Sequence, residues 1–306
     1  MAKTKLGLDI GYSQTKVSYN GKLYKFPTAI SFAIDSGINY GEDDFYIFEG
    51  KKYRVGDIAI EESFVTTDYS FLERFAPLIL FHILNKLGLI KDNKLMIDLE
   101  LRTGLALIDW NNKEKFVERF KNFEVNGINI STQDVKIIPQ GAGVYYDYKF
   151  NKLNGSEISN ASVIDIGYNT INFLYFENDI PIKPKSKAFP SHGIVSIIRP
   201  FTNWLENTYK MNFTEQEAIK ILLNKKFIFN GQEQPEVLKM IQENKANFIT
   251  KLFNSILVSE KKILSTSEKV IIAGGGAYLL EDVKLPPNVD FPNKPFEFAN
   301  VRGYMI

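Results

Sequence analysis

Leu6-Gly7-Leu8-Asp9-Ile10-Gly11-Tyr12-Ser13-Gln14-Thr15-Lys16-Val17 and Val163-Ile164-Asp165-Ile166-Gly167-Tyr168-Asn169-Thr170-Ile171-Asn172-Phe173 carry the same tetrapeptide, Asp-Ile-Gly-Tyr, in the same setting. Each copy closes an apolar run and is followed by small polar residues, the pattern of a strand, a tight turn and a second strand. Glycine at the turn lets the backbone approach whatever lies above it, and successive N–H groups in such a turn form an anion nest. An acidic side chain at the end of the strand repels phosphate unless Mg²⁺ with its waters lies between them. A lone Asp-x-Gly is most often a capped turn. Two copies in equivalent settings point instead to two hairpins that grip one nucleotide.

Two further segments extend the pattern. Lys269-Val-Ile-Ile-Ala273-Gly274-Gly275-Gly276-Ala277 is a buried-strand run that ends in a glycine triplet, after an expected helix over residues 246–264. The triplet leaves a surface without side chains on which a base or ribose can lie. Ile137-Ile138-Pro139-Gln140-Gly141-Ala142-Gly143-Val144 is a strand that breaks at Pro139 and enters a helix of small residues. The sequence contains neither a Gly-x-x-x-x-Gly-Lys-Ser/Thr loop nor a Gly-x-Gly-x-x-Gly fingerprint.

In this order, first hairpin, small-residue helix, second hairpin and glycine triplet, the chain resembles the superfamily of actin, sugar kinases and heat-shock chaperone ATPases, nearly end to end. Within it the sequence is most similar to the bacterial plasmid-partitioning ParM-type proteins, through Pro139-Gln140-Gly141-Ala142-Gly143 and the tail Phe296-Glu297-Phe298-Ala299-Asn300-Val301-Arg302-Gly303-Tyr304. The resemblance implies an α/β protein of two related actin-like domains with a nucleotide cleft between them. Residues 1–140, completed by 298–306, form domain I with a small outer subdomain near Phe45–Val55; residues 141–297 form domain II.

It also implies roles. Asp9 and Asp165 organise water and Mg²⁺ around the phosphates of ATP or GTP. Gly11, Tyr12, Ser13, Gln14 and Thr15 form the first phosphate cradle, with Lys16 reaching the β-phosphate. Gly167, Tyr168, Asn169 and Thr170 form the second, and Gln140 positions the attacking water. Gly274, Gly275 and Gly276 flank the adenosine. Glu217 and Lys220, three apart on one helical face, and Gly193 before a helix, complete the nucleotide contacts; both of these also read as ordinary surface pairing and an ordinary helix start.

Composition bounds the function. A chain of 306 residues, 44% hydrophobic, can bury two cores of ordinary domain size. It has no cysteine, which excludes disulfides and thiolate zinc sites. With 37 basic and 36 acidic residues the net charge is +1, so direct nucleic-acid binding is not expected and DNA would be reached through an adaptor protein. Met1-Ala-Lys-Thr-Lys leads straight into the first strand without a signal peptide, and no stretch is a membrane span, so the expected location is the cytoplasm. The apolar segment Phe75–Leu84 reads as a core helix, and His82 within it as a core residue.

Three functional classes stay open at this point. The first is a filament-forming actin-like NTPase that adds subunits head to tail, with plasmid segregation as its role. The others are a small-molecule kinase, for a sugar or a similar alcohol, and a non-polymerising chaperone-like ATPase. Kinases of this fold resemble one another in starting the connecting helix with a general-base Asp. Here Gln140 stands at that position, and an amide orients water better than it takes a proton. The chain reaches Ile306 without a peptide-binding module, which weighs against the chaperone class.

Overall fold

The computed structural model describes residues 3–33, 45–64 and 68–306. The chain forms two compact units, residues 1–156 with 292–306 and residues 157–291.

In the first unit, β1 (Lys3–Ile10), β2 (Gln14–Tyr19) and β3 (Lys22–Pro27) form a meander. A three-stranded sheet follows, of β4 (Ile30–Phe32), β5 (Tyr46–Phe48) and β6 (Lys51–Val55) in the order β4-β6-β5. Its β5–β6 hairpin turns on Glu49-Gly50, one residue before the turn expected at Gly50-Lys51-Lys52, because Lys51 and Lys52 already belong to β6. Helix α1 (Tyr69–Lys86) is capped by Asp68, whose carboxylate accepts the Phe71 N–H. Its apolar residues are buried almost all round, so it is a core helix. His82 lies inside it with Nδ1 3.0 Å from the Tyr46 hydroxyl, a core histidine with a hydroxyl partner.

The short hairpin of β7 (Ile90–Lys91) and β8 (Lys94–Leu95) leads to β9 (Asp98–Leu105), then α2 (Lys113–Lys121), the hairpin of β10 (Asn122–Val125) and β11 (Ile128–Ser131), β12 (Asp134–Pro139) and α3 (Ala142–Asp147). The main sheet has the order β12-β9-β1-β2-β3, parallel at β12-β9-β1 and antiparallel beyond.

The second unit repeats this plan. Strands β13 (Asn160–Ile166) and β14 (Thr170–Glu177) form an antiparallel hairpin, and β15 (Ile180–Pro181) and β16 (Lys187–Pro190) both pair with β14. Helices α4 (Val195–Tyr209) and α5 (Glu215–Asn224), the small hairpin of β17 (Ile228–Phe229) and β18 (Gln232–Glu233), α6 (Pro235–Leu252) and α7 (Lys261–Thr266) follow. The expected helix over 246–264 is thus interrupted: Phe253–Leu257 winds as a π-helix and α7 starts afresh at Lys261. Strands β19 (Lys269–Ala273) and β20 (Val289–Asp290) add to β13 in parallel. In both sheets a hairpin supplies the antiparallel half and its first strand starts the parallel half. Asp9 and Asp165 end the corresponding strands.

The chain returns to the first unit through α8 (Ala299–Gly303). Residues 141–156 also belong to that unit, beyond the expected boundary at 140, and so do residues 292–297, before the expected boundary at 298. The cause is contact between α3 and α8 at glycines: a Cβ on Gly303 would fall 1.8 Å from the Gly143 carbonyl oxygen. Backbones that close cannot be separated into different cores.

Candidate nucleotide site

The first loop is a turn between β1 and β2 closed by the Gly11 N–H, which donates to the Gln14 carbonyl at 3.2 Å. Asp9, 5% exposed, stands opposite Lys16 in the antiparallel register. A Cβ on Gly11 would lie 3.1 Å from Lys16 Nζ and 2.9 Å from the Gln14 oxygen, so the glycine gives the ammonium group its place over the turn. Thr15 is buried and its hydroxyl shares a 2.7 Å hydrogen bond with that of Thr28, while the Thr28 N–H donates to the Ser13 carbonyl at 3.0 Å. These bonds brace the loop from below. Thr15 therefore serves the loop's shape, and Ser13, Gln14 and the backbone form its outer side. Tyr12 is half-buried against the core; burial first, then the charges of Asp109 and Asp68, push its phenol well above the ordinary value.

Gln140 follows the end of β12. Its backbone N–H donates to the Leu105 carbonyl at 2.9 Å and its side-chain amide donates to Asp9 Oδ1 at 3.0 Å. Burial raises the Asp9 carboxyl above its ordinary pKa, against the lowering effects of the Lys16 charge and the Gln140 hydrogen bond. A buried carboxylate in that balance favours any added cation, because the cation relieves the desolvation cost.

The second loop has the same closure: the Gly167 N–H donates to the Thr170 carbonyl at 3.0 Å. Asp165 is 6% exposed and pairs in register with Asn172, the position that Lys16 holds in the first hairpin. The buried Asn172 side-chain oxygen has no hydrogen-bond partner among the described residues. The Gly193, Ile194 and Val195 N–H groups donate to the carbonyls of Asn169, Gly167 and Tyr168 at 3.1, 3.1 and 2.8 Å. A Cβ on Gly193 would meet the Gly167 and Tyr168 oxygens at 2.5 Å, so this glycine serves close packing of the helix start on the loop.

Gly274 and Gly276 also border the second loop. Gly274, at φ +84°, leaves room for Asp165 Oδ1, which a Cβ would approach to 2.6 Å, and a Cβ on Gly276 would strike Ile166. Gly275 is the exposed member, and among the described residues a Cβ there would meet only Ile194 Cδ1, at 3.9 Å. The triplet is thus two packing positions around one open one.

Other residues fall differently from their sequence reading. Tyr168 donates its hydroxyl to Glu215, which also accepts from Arg199 at 2.9 Å, so the side chain ties the second loop to the start of α5. Burial and then this bond push the Tyr168 phenol far above its ordinary value. Glu217 accepts from the Thr214 N–H at 2.8 Å and hydroxyl at 3.0 Å, completing a capping box. The signal for that role, Thr214-x-x-Glu217, is in the sequence. Lys220 is exposed one turn further along α5.

Residues 7–143 match the family model of the N-terminal domain of actin-like proteins, and residues 163–284 match that of the C-terminal domain of the archaeal MreB-like actin homologues. This chain is an actin-like protein. The fold of the actin-like chain agrees with solved relatives over nearly its whole length. A ParM filament from Clostridium botulinum has a TM-score of 0.78 at 20% identity, covering 99% of this chain and 98% of the other. A non-polymerisable quadruple mutant of pCBH ParM has 0.75 at 22%, with the same coverage. An archaeal actin homologue in complex with ADP has 0.75 at 19%, covering 98% and 97%. At these identities the likeness establishes the two-domain actin-like fold. No curated protein matches the chain by sequence. No helix among the described residues is long and apolar enough to cross a membrane.

Proposed function

We propose that this actin-like protein binds ATP or GTP with Mg²⁺ through its two Asp-Ile-Gly-Tyr loops, hydrolyses it, and assembles head to tail into filaments whose stability follows the nucleotide state. The observation that carries the proposal is the equivalence of the loops: one glycine N–H closure, one buried aspartate and one strand position, repeated in each unit. At each loop a glycine lets the protein's own groups close in: a Cβ on Gly11 would lie 3.1 Å from Lys16 Nζ, and one on Gly274 would lie 2.6 Å from Asp165 Oδ1.

The residues also fit the metal. Among the described residues no group of three or more His, Cys, Asp or Glu side chains forms a metal cage. Mg²⁺ keeps waters and phosphate oxygens and takes few protein carboxylates, and the buried Asp9 carboxylate, raised by desolvation, favours a cation beside it. Asp9 and Asp165 would hold it, through water, where it neutralises phosphate charge. Lys16 adds a fixed positive charge beside the first loop. Gln140 commits its amide N–H to Asp9, which leaves its carboxamide oxygen to accept a hydrogen bond from water. An uncharged amide orients this water and does not deprotonate an alcohol, which favours hydrolysis over transfer to a sugar. Backbone N–H groups and Gly274–Gly276 would flank the nucleoside, with Gly193, Glu217 and Lys220 supporting that side.

Loss of the γ-phosphate changes what the two loops hold, and so biases one conformation against another. Head-to-tail contacts do not close, and they give filaments rather than rings. The solved ParM filament supports self-association into filaments, and the ADP complex of the archaeal homologue supports nucleotide binding. A cytoplasmic role in DNA segregation would need a DNA-binding adaptor, since the net charge is only +1. Light scattering and pelleting with ATP or GTP and Mg²⁺, read beside phosphate release, test the proposal. Scattering should rise on nucleotide addition and decay as phosphate appears. A protein that stays monomeric with either nucleotide across salt conditions excludes the filament, and phosphorylation of an added sugar replaces hydrolysis by kinase chemistry.

A further inference from the structure

Gln140 is held from three directions, and one of the holds comes from the far end of the sequence. Its own N–H is bound by β9 through Leu105, and its amide by Asp9. The next peptide, at Gly141, has φ +91°, and its N–H donates to Asn300 Oδ1 at 2.8 Å in a buried setting. Asn300 is 5% exposed and sits on α8. Helix α8 grips α3 at two more places. Gly303 meets the Gly143 carbonyl at backbone distance, and Arg302 donates to both carboxylate oxygens of Asp147 at 2.8 and 2.6 Å. It also lies over Gly7 of β1, where an added Cβ would come within 3.0 Å of Val301 and Met305. The same short helix thus contacts the strand that ends in Asp9 and the helix that begins after Gln140.

We infer that Asn300 is a positioning residue for the hydrolytic step: by accepting the Gly141 N–H it fixes the peptide that aims the Gln140 side chain at Asp9. The inference rests on the proposed nucleotide hydrolysis. A left-handed residue at the start of a helix has several backbone orientations open to it, and a buried N–H without a partner drives the chain to choose another. With the acceptor present one orientation is kept. A displacement of the Gln140 amide by a fraction of its reach moves the water it holds, and misplacement of that size is expensive in rate. Asn300 touches neither water nor phosphate in this account; it acts through Gln140.

The test is a double-mutant cycle in the full chain with ATP or GTP and Mg²⁺. Asn300→Ala should lower kcat by about ten- to a hundred-fold with nucleotide affinity nearly unchanged. Asn300→Asp keeps an acceptor oxygen for the Gly141 N–H but places a charge at a buried position, so it should recover part of the rate that Asn300→Ala loses. In a Gln140→Ala background Asn300→Ala should cost nothing more, because its route to the chemistry is already gone. Equal and additive losses in both backgrounds overturn the positioning role. Hydrogen exchange at the Gly141 amide of the parent protein supplies an arm that needs no variant: slow exchange is required, and exchange at the rate of an open amide overturns the inference. A parent that hydrolyses neither nucleotide sinks the functional reading itself, whereas an active parent, a slow Gln140→Ala and a fast Asn300→Ala sink only this role.

Discussion

The Gln140 amide donates to Asp9 Oδ1 across 3.0 Å, joining residues 131 positions apart in the chain and bringing the end of β12 to the end of β1. If the pair aims water, then binding and turnover separate. Gln140→Ala should slow hydrolysis by roughly ten- to a thousand-fold and leave nucleotide affinity little changed. Single-turnover phosphate release beside equilibrium binding checks it. An equal loss in both makes Gln140 structural.

The glycine triplet predicts a contrast between neighbours. Gly274→Ala places a methyl group 2.6 Å from Asp165 Oδ1 and 2.4 Å from the Ile166 carbonyl at φ +84°, and should cost about 2 kcal/mol or more. Gly275→Ala meets nothing closer than 3.9 Å and should change stability little. Urea unfolding of the two variants decides; equal effects would mean that the second loop does not press on β19.

Legibility in the sequence followed range. Both loop hairpins and the strand into Gly274 could be read because a turn and its flanking strands lie within about a dozen residues, where alternation and glycine carry the signal. The α3–α8 contact could not be, because Gly143 and Gly303 announce only small size, and nothing local says that each needs the other's backbone. For that reason the boundary falls at 156 and not at 140. Tyr168 belongs to the same class: its partner Glu215 lies 47 residues away. Glu217 is a different case. The capping signal Thr214-x-x-Glu217 is local, but the same Glu217 also fits a Glu-Lys face with Lys220, and only the structure separates the two. The roles of the loops came from resemblance, since a buried Asp beside a turn does not by itself specify a nucleotide.

Arg302 and Asp147 form a buried pair in which Asp147 is 1% exposed. Removing one partner strands the other's charge, so Arg302→Met should cost about 3 kcal/mol, with Asn151 still donating to Asp147 at 2.8 Å. Replacing both, with Asp147→Leu added, should recover part of the loss. Thermal unfolding of the parent and both variants measures it, and an unchanged single variant would show that α8 is held without this pair.

Asp68 gives a pH signature at the start of α1. Its carboxylate accepts from the Ser70 hydroxyl and the Phe71 N–H, and these hydrogen bonds hold its pKa below the ordinary carboxylate value. A lowered folded-state pKa contributes stability that is present above the unfolded value and is lost as pH falls through the folded one. Asp68→Ala should therefore cost about 1 kcal/mol at neutral pH, and the gap from the parent should shrink in acid. Asp68→Asn, which keeps the cap, should stay near the parent at neutral pH. A gap that persists unchanged below the carboxylate range contradicts the assignment.

The central claim is that two equivalent loops, one in each unit, hold one Mg²⁺-nucleotide. Titration of a fluorescent ATP or GTP analogue into the parent protein, Asp9→Ala and Asp165→Ala, each with Mg²⁺ and with chelator, tests it most directly. The predicted result is tight, Mg²⁺-dependent binding of one nucleotide per chain by the parent, and loss of the Mg²⁺ dependence in either variant while both remain folded by circular dichroism. Parent-like, Mg²⁺-dependent binding by both variants would contradict the claim.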